Sequence, residues 1–220
     1  MCSKDNIIKS LDSIYIYHIT HIRNLPDIIE SGCLFSQKIM AERADSMVVG
    51  MAEVKQRRAL RPVDCYPGTM VAEYVPFYFC PRSVMLYILY RGNHPGITYK
   101  EGQEQIIHLR APLRRAIEWA NAEGRKWCFS LSNATAWYTE FKNSVEDLDS
   151  IKWNAVDSSD FRNDEIKEGK QAEFLVHKQF AFGLFDCIGV YSSSIGDQVE
   201  HYLDGLEERP VTVVHKEWYY

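Results

Sequence analysis

No two of the six cysteines in this 220-residue chain are spaced C-x-x-C; Cys2, Cys33, Cys65, Cys80, Cys128 and Cys187 are scattered. That scatter argues against a zinc site or a disulfide framework and predicts a reducing, cytoplasmic setting. No apolar run approaches the roughly 20 residues of a membrane span, and "MCSKDNIIKSLDS" lacks the charged-then-apolar order of a secretory leader. The fingerprint G-x-G-x-x-G is missing, which disfavours a doubly wound dinucleotide-binding fold. H-E-x-x-H is missing among the seven histidines, and G-x-S-x-G is missing altogether, so a zincin and an α/β-hydrolase are both disfavoured. Repeats and low-complexity tracts are absent. Positive charge is in deficit, with 25 Lys and Arg against 30 Asp and Glu and a net charge of -5. This argues against a generally basic coat for nucleic acid, although local basic patches can still bind phosphates.

What is present reads as interleaved strands and helices. "SIYIYHITHI" (13–22) is apolar and β-branched, a strand by propensity. "NLPDIIESGCLFS" follows, with Asn24 as a cap, Pro26 in a first helical turn and Gly32 as the stop. Residues 40–61 are charged and periodic, which predicts helix, and "YPGTM" (66–70) predicts a turn. In "EYVPFYFCPRSVMLYILYRG" (73–92) two prolines argue against a central strand for the first part, while "SVMLYILYRG" fits either helix or strand. A strand over 104–113, a helix over 114–124 ended by Gly124, and a strand over 126–134 come next. Residues 134–151 read as mostly helical and 152–170 as polar and irregular. Apolar segments at 172–177, 185–193 and 211–220 close the chain, with a helix over 194–207 between the last two. The spacing is too uneven for regular βαβ units, so the expectation is an α+β fold, a single domain over residues 1–220 built around a mixed sheet with peripheral helices.

Four pieces have chemical potential, each with a plainer alternative. His18 and Thr20 share one side of a strand where it meets a helix, a pair able to bind a ribose or amide; the alternative is a histidine satisfied by backbone. Arg57, Arg58 and Arg61 lie in "KQRRALR" (55–61), and a guanidinium holds phosphate bidentately. A second basic stretch, "RAPLRRAIEWANAEGRK", covers 110–126. For both, the alternative is a solvated helix face. Phe77, Tyr78 and Phe79 with Arg82 offer a stacking platform for a base, or simply core. Finally, "GKQAEFLVHKQF" (169–180) places Glu173 in a strand. Alternation sets Ala172, Phe174 and Val176 on one face and Glu173, Leu175 and His177 on the other. A lone strand carboxylate is more often solvated than buried, because burial without a partner is costly. Spacing alone leaves that open.

Taken in order, "IYHITHIRNLPDIIESGCL", "VKQRRALRPV" with its Pro-Gly turn, "EYVPFYFCPRSVML" and "KQAEFLV" resemble the DarT family across roughly residues 14–220. These are the bacterial DNA ADP-ribosyltransferase toxins of DarT–DarG toxin–antitoxin systems. The block "YVPFYF-x-PRS-x-ML" is the most specific part, and "AEFLV" the next. The resemblance implies an ADP-ribosyltransferase-like split mixed β-sheet with NAD in the cleft between its halves. It implies transfer of ADP-ribose from NAD to a base of single-stranded DNA, a DarG-like antitoxin as partner, and no metal.

Residue by residue, the resemblance makes His18, Ile19 and Thr20 the NAD-binding H-x-T segment, Ile19 acting through its backbone. Asp27 and Phe35 match positions lining the NAD site. Arg58 matches an arginine that contacts NAD and takes part in proton abstraction from the base, and Glu173 matches the catalytic glutamate. Tyr78 and Arg82 fall to the DNA side. One departure stands out: where the thymine-modifying branch carries a histidine in "D-x-H-A", this chain has "SLSNA" with Asn133 in that place. An amide hydrogen-bonds a base edge but shuttles no proton. Thymine and guanine therefore both remain as the modified base.

Overall fold

The computed structural model describes residues 9–43 and 52–220; Cys2, and residues 44–51 of the helix expected over 40–61, lie outside the described residues. The described residues form ten strands: β1 (Tyr15–His21), β2 (Cys33–Phe35), β3 (Tyr74–Tyr78), β4 (Ile106–Pro112), β5 (Trp127–Asn133), β6 (Phe141–Lys142), β7 (Ala172–His177), β8 (Gln179–Ala181), β9 (Cys187–Val190) and β10 (Val211–Val214). Eight of them form one sheet in the order β10-β9-β4-β1-β3-β7-β5-β6, and β2 pairs with β8 apart from it. Only β9 and β10 run parallel, so the sheet is mixed, as expected.

Helices flank it: α1 (Leu25–Ser31), α2 (Gln37–Met40), α3 (Ala52–Leu60), α4 (Val84–Arg91), α5 (Leu113–Ala122), α6 (Trp153–Asp157), α7 (Asp164–Gly169) and α8 (Ser193–Leu203). The end signals act as their chemistry dictates. Pro26 sits in the first turn of α1, and Gly32 closes it in the left-handed region at φ 65°. "SVMLYILYRG" resolves to α4, because the Ser83 hydroxyl caps Leu86 N and Gly92 ends the helix.

The sheet opens in the middle. β1 and β4 pair along seven residues, from Tyr15↔Pro112 to His21↔Ile106. β3 and β7 pair along five, from Tyr74↔His177 to Tyr78↔Glu173. Between these two halves the register records one pair, Tyr17↔Tyr78. Beyond it the strands diverge, and the imidazole of His18 occupies the gap, its Nδ1 2.9 Å from the carbonyl oxygen of Pro76.

That gap corrects the expectation that Pro76 keeps this segment out of the sheet centre. The N and O of one strand residue face the same neighbour, so the missing N–H of Pro76 points to the side where the ladder has already opened. β3 therefore tolerates the proline while lying between β1 and β7.

Two other expectations fail for tertiary reasons. Residues 134–151 form a turn, β6 and a 3-10 stretch over Val145–Ser150 rather than a helix. Phe141 pairs with Ser130 across β5 and β6, which claims the backbone that a helix would need. Residues 152–170 hold two short helices. The Asn163 side chain caps α7 by accepting from Glu165 N and Ile166 N, and a Cβ on Gly169 would lie 2.8 Å from that of Ala155 in α6. The glycine thus allows α7 and α6 to meet.

The sheet is covered on both faces. On one, Ile16, Phe77, Phe129, Phe174 and Phe180 join Ala116, Ile117 and Ala120 of α5 in the main core. Fully burying each large apolar side chain is worth about 1.5–3 kcal/mol, so this layer supplies most of the cohesion. On the other face, Leu175 packs with Val63, Val71, Tyr74 and Cys128. Glu173 shares that second face, by alternation along β7.

Candidate active site

Glu173 is 5% exposed, so the solvated reading is overturned. What makes burial tolerable is a full set of partners. Oε2 accepts from Arg58 Nη1 at 2.8 Å, and Oε1 accepts from the backbone N–H of Ala134 at 3.3 Å. The Glu173 backbone N–H donates to Ser130 Oγ at 3.1 Å, and Ser130 Oγ donates to Ser132 O at 2.6 Å. This is possible because the β5–β7 register breaks between Phe129 and Asn133. The irregularity turns Ser130 toward the glutamate instead of leaving it in the ladder.

Arg58 is itself 8% exposed. It reaches Glu173 from the last turn of α3, across 115 residues of sequence. Its Nη1 makes the ion pair, while its Nη2 is buried with no hydrogen-bond partner among the described residues. A buried guanidinium N–H without a partner is expensive. Arg57, next to it, is exposed. Arg61, the third arginine of the segment, turns to the loop after β5: its Nη2 donates to Thr139 O at 2.9 Å, and its guanidinium also pairs with Asp64.

On the other half of the sheet, His18 is held by Pro76 O through Nδ1, with its ring edge-to-face on Phe77 at 5.8 Å. Burial pushes its pKa below the usual imidazole value; the bond to Pro76 opposes the shift and the positive charge of Arg58 adds to it. The ring is therefore neutral with the proton on Nδ1, which makes Nε2 an acceptor. Thr20, on the same side of β1, accepts at its hydroxyl from Asn24 Nδ2 at 3.0 Å. Ile19 pairs with His108 on β4.

Of the aromatic trio, the residues part company. Phe77 and Phe79 are core, which removes them from any stacking platform. Tyr78 alone faces Glu173 directly across β3 and β7. Its hydroxyl is pushed well above the ordinary phenol pKa, first by burial and then by the charge of Glu173, so it stays protonated as a donor. Arg82 lies over the Tyr220 ring at 4.4 Å, with the Tyr220 hydroxyl donating to Arg82 O. Tyr87, Tyr90 and Phe161 complete that aromatic cluster.

Asn133 is heavily engaged. Its Nδ2 donates to Gln171 Oε1 at 3.0 Å, and its Oδ1 accepts from both N and Oγ1 of Thr135. The amide clasps the strand before Glu173 to the turn that carries Ala134. Asp27 is exposed in the first turn of α1. Phe35 is half-buried in β2 beneath the guanidinium of Arg43, at 4.0 Å. Neither makes a hydrogen bond or ring contact with Arg58 or Glu173.

The structure thus brings His18, Arg58, Tyr78 and Glu173 together at the opening of the sheet. It does not bring the stretch 110–126 there. α5, which carries most of that stretch, packs on the Phe174 face, behind the sheet from Glu173. Ser130 stands in the "SLSNA" segment, but its contact with Glu173 and that of the Ala134 N–H depend on the β5 irregularity and have no local signal in the sequence. Arg61 was singled out only for charge. Among the described residues no cluster of three or more His, Cys, Asp or Glu side chains is arranged to hold a metal.

Known proteins share this fold. The family model described as "ssDNA thymidine ADP-ribosyltransferase, DarT" matches residues 17–220. The chain is 36% identical over 208 residues to a DNA ADP-ribosyl transferase of Thermus sp. (strain 2.9), covering 93% of this chain and 95% of that protein. The structure of Thermus sp. 2.9 DarT in complex with ADP-ribosylated ssDNA superposes with a TM-score of 0.88 at 33% identity, covering 98% of this chain and all (100%) of the other. The same Thermus protein in complex with NAD+ gives a TM-score of 0.77 at 34% identity, over 94% and 97% of the two chains.

Proposed function

The chain belongs to the DarT family of DNA ADP-ribosyltransferases, and from that premise we propose that it transfers ADP-ribose from NAD to a base of single-stranded DNA, releasing nicotinamide, as the toxin of a toxin–antitoxin pair. The observation that carries this reading is the buried Arg58–Glu173 pair at the place where the sheet parts. NAD is the co-substrate, and no metal is needed for the chemistry.

The chemistry follows from the partners already described. Cleavage of the nicotinamide–ribose bond leaves positive charge developing on the ribose, as in glycoside transfer. A carboxylate fixed by Arg58 and the Ala134 N–H keeps lone-pair directions free on both oxygens. It accepts hydrogen bonds from the ribose hydroxyls and stabilises that charge in a setting with little water. The neutral His18 offers Nε2 as a further acceptor to the nucleotide. The attacking base nitrogen forms a bond to the ribose carbon and loses a proton. A guanidinium is a donor with no acceptor site, so Arg58 orients the base or the pyrophosphate through Nη2, and the proton passes to the carboxylate beside it. Tyr78 and Arg82 serve the DNA, and Asp27 and Phe35 belong to the nucleotide side of the cleft.

The description of the family model supports thymine as the base. A second reading, guanine, is favoured by Asn133 in the position of the thymine branch's histidine. Residues 1–220 act as a single catalytic domain. A DarG-like antitoxin that removes ADP-ribose is its partner, and the cytoplasm its place. The cysteines Cys33, Cys65, Cys80, Cys128 and Cys187 are free, and no described helix is long and apolar enough to cross a membrane. The test is incubation with NAD and a panel of single-stranded oligonucleotides, each with one candidate base, followed by mass analysis. Addition of one ADP-ribose to thymine or to guanine supports the reading and settles the base. Modification of protein or RNA but never DNA would refute it.

A further inference from the structure

We infer that Trp137 is a stacking platform for a base of the DNA strand beside the modified nucleotide; the inference rests on the DNA-transferase reading above. Trp137 is 85% exposed, the most exposed of the large apolar side chains among the described residues. An indole left in water forgoes the gain from burying one of the largest apolar surfaces available to a protein. A frayed loop would explain such a position, but the loop over 134–140 is pinned at every turn. Ala134 N donates to Glu173 Oε1, Thr135 N and Oγ1 to Asn133 Oδ1, and Ala136 N to Asn133 O. Thr139 N donates to Ala136 O, and Thr139 Oγ1 accepts from Ser132 Oγ at 2.9 Å. Arg61, the residue after the last of α3, holds Thr139 O through Nη2.

The same loop therefore touches the catalytic carboxylate at one end and the helix of Arg58 at the other, with Trp137 between them. Tyr138 stands edge-on to the indole at 5.6 Å and donates its hydroxyl to Glu168 on α7. That contact fixes the platform to the segment leading into Glu173. An exposed aromatic on a rigid support at the rim of a site is the arrangement that stacks a base of a single strand. The occupant is set by the chemistry next door. The site works on a base that must be splayed out of its strand, and the neighbouring base then loses a stacking partner. With a net charge of -5, the chain has little excess phosphate attraction to rely on, which raises the share of binding left to stacking. Stacking tolerates any base, so Trp137 positions the strand rather than reading its sequence.

The experiment measures KM for a single-stranded oligonucleotide and KM for NAD in wild type, Trp137→Ala and Trp137→Phe, together with quenching of tryptophan emission on titration with the same oligonucleotide. Trp137→Ala should raise the oligonucleotide KM about 5- to 100-fold, from the usual worth of one stacked base. KM for NAD should stay unchanged, Trp137→Phe should restore most of the DNA affinity, and the quench should vanish in both variants. A target nucleoside without flanking nucleotides should react alike with wild type and Trp137→Ala. An unchanged oligonucleotide KM in Trp137→Ala overturns the inference, as does a loss that Phe fails to restore. Absence of DNA modification by the wild type would instead strike the functional reading, so the two failures are told apart.

Discussion

The two basic segments look alike as sequence and end in opposite circumstances. "KQRRALR" (55–61) and "RAPLRRAIEWANAEGRK" (110–126) each present arginines at helical spacing. In the first, Arg58 is buried against Glu173 with one nitrogen unpartnered among the described residues. In the second, Arg114 is exposed and pairs with Asp12, Arg115 donates to Gly183 O, and Arg110 is held by Asp186. Arg114 and Arg115 belong to the helix behind the sheet. Arg110 shares the cross-strand row of Tyr17, Tyr78 and Glu173 but is neutralised by Asp186. Arg125, although its Nε is buried without a partner among the described residues, lies over the Trp119 ring. The lesson is that a cluster of positive charge does not mark a site. What sets Arg58 apart is an ion pair in which both partners are out of water, since the cost of that desolvation calls for a reason.

The comparison breaks first at Glu173. Glu173→Gln keeps the shape and a hydrogen bond to Arg58 but removes the negative charge. Transfer to an oligonucleotide should fall by about three orders of magnitude or more, in line with losing a preorganised electrostatic group, while thermal stability changes little. Glu173→Ala should do more than silence the enzyme. It strands a buried guanidinium, and removing one partner of such a pair costs about 3–5 kcal/mol; denaturant titration would register this. Normal transfer in the Gln variant would remove Glu173 from the chemistry.

Arg58→Ala and Arg114→Ala put the two segments side by side. The first leaves a buried carboxylate, so transfer should drop by at least about a hundredfold and stability by a few kcal/mol. The second opens a surface ion pair worth about 0–1 kcal/mol and should leave transfer and its salt dependence alone. A steep loss of DNA affinity in Arg114→Ala would restore the second segment as a phosphate track.

Lowering pH examines buried against solvated titration in general. His108 is fully buried, and desolvation holds its pKa down at about 4, against 6.5 for a free imidazole. Below 6.5 the unfolded chain binds a proton that the folded chain refuses, so stability falls as pH drops from about 6.5 to about 4 and levels off beneath that. The shift corresponds to about 3 kcal/mol, and His18, lowered for the same reason, adds to it. Denaturant midpoints from pH 7.5 to 4 would show the slope, and His108→Gln should flatten it. A flat profile in wild type would mean that the imidazole is solvated.

Among the substitutions that should lower transfer, the smallest effect is expected at Asn133. Its amide already closes the turn through Gln171 and Thr135, so Asn133→Ala acts partly by loosening the Ala134 N–H that steadies Glu173. A fall in transfer of about one to two orders of magnitude, with NAD affinity nearly unchanged, is the expected result. Weakened NAD binding with normal base preference would move Asn133 to the cofactor side.

Much of this molecule was legible before any coordinate. The strand around His18, the helix stops at Gly32 and Gly124, and the alternation about Glu173 follow from local sterics and side-chain period, which neighbouring residues determine by themselves. The motifs likewise marked Glu173 and Arg58 as a pair of interest. Local rules could not say that Glu173 is buried, because its tolerance depends on Arg58, 115 residues away in sequence. Nor could they place Pro76 at the sheet centre, seat Ser130 under the glutamate or send α5 behind the sheet. Each of those was decided by tertiary structure, where the gap between β1 and β3 and the irregularity in β5 set which polar groups find partners. The sequence determines which groups can carry charge and where the chain turns; only packing decides which charges leave the water, because their tolerance there depends on partners far away in the chain.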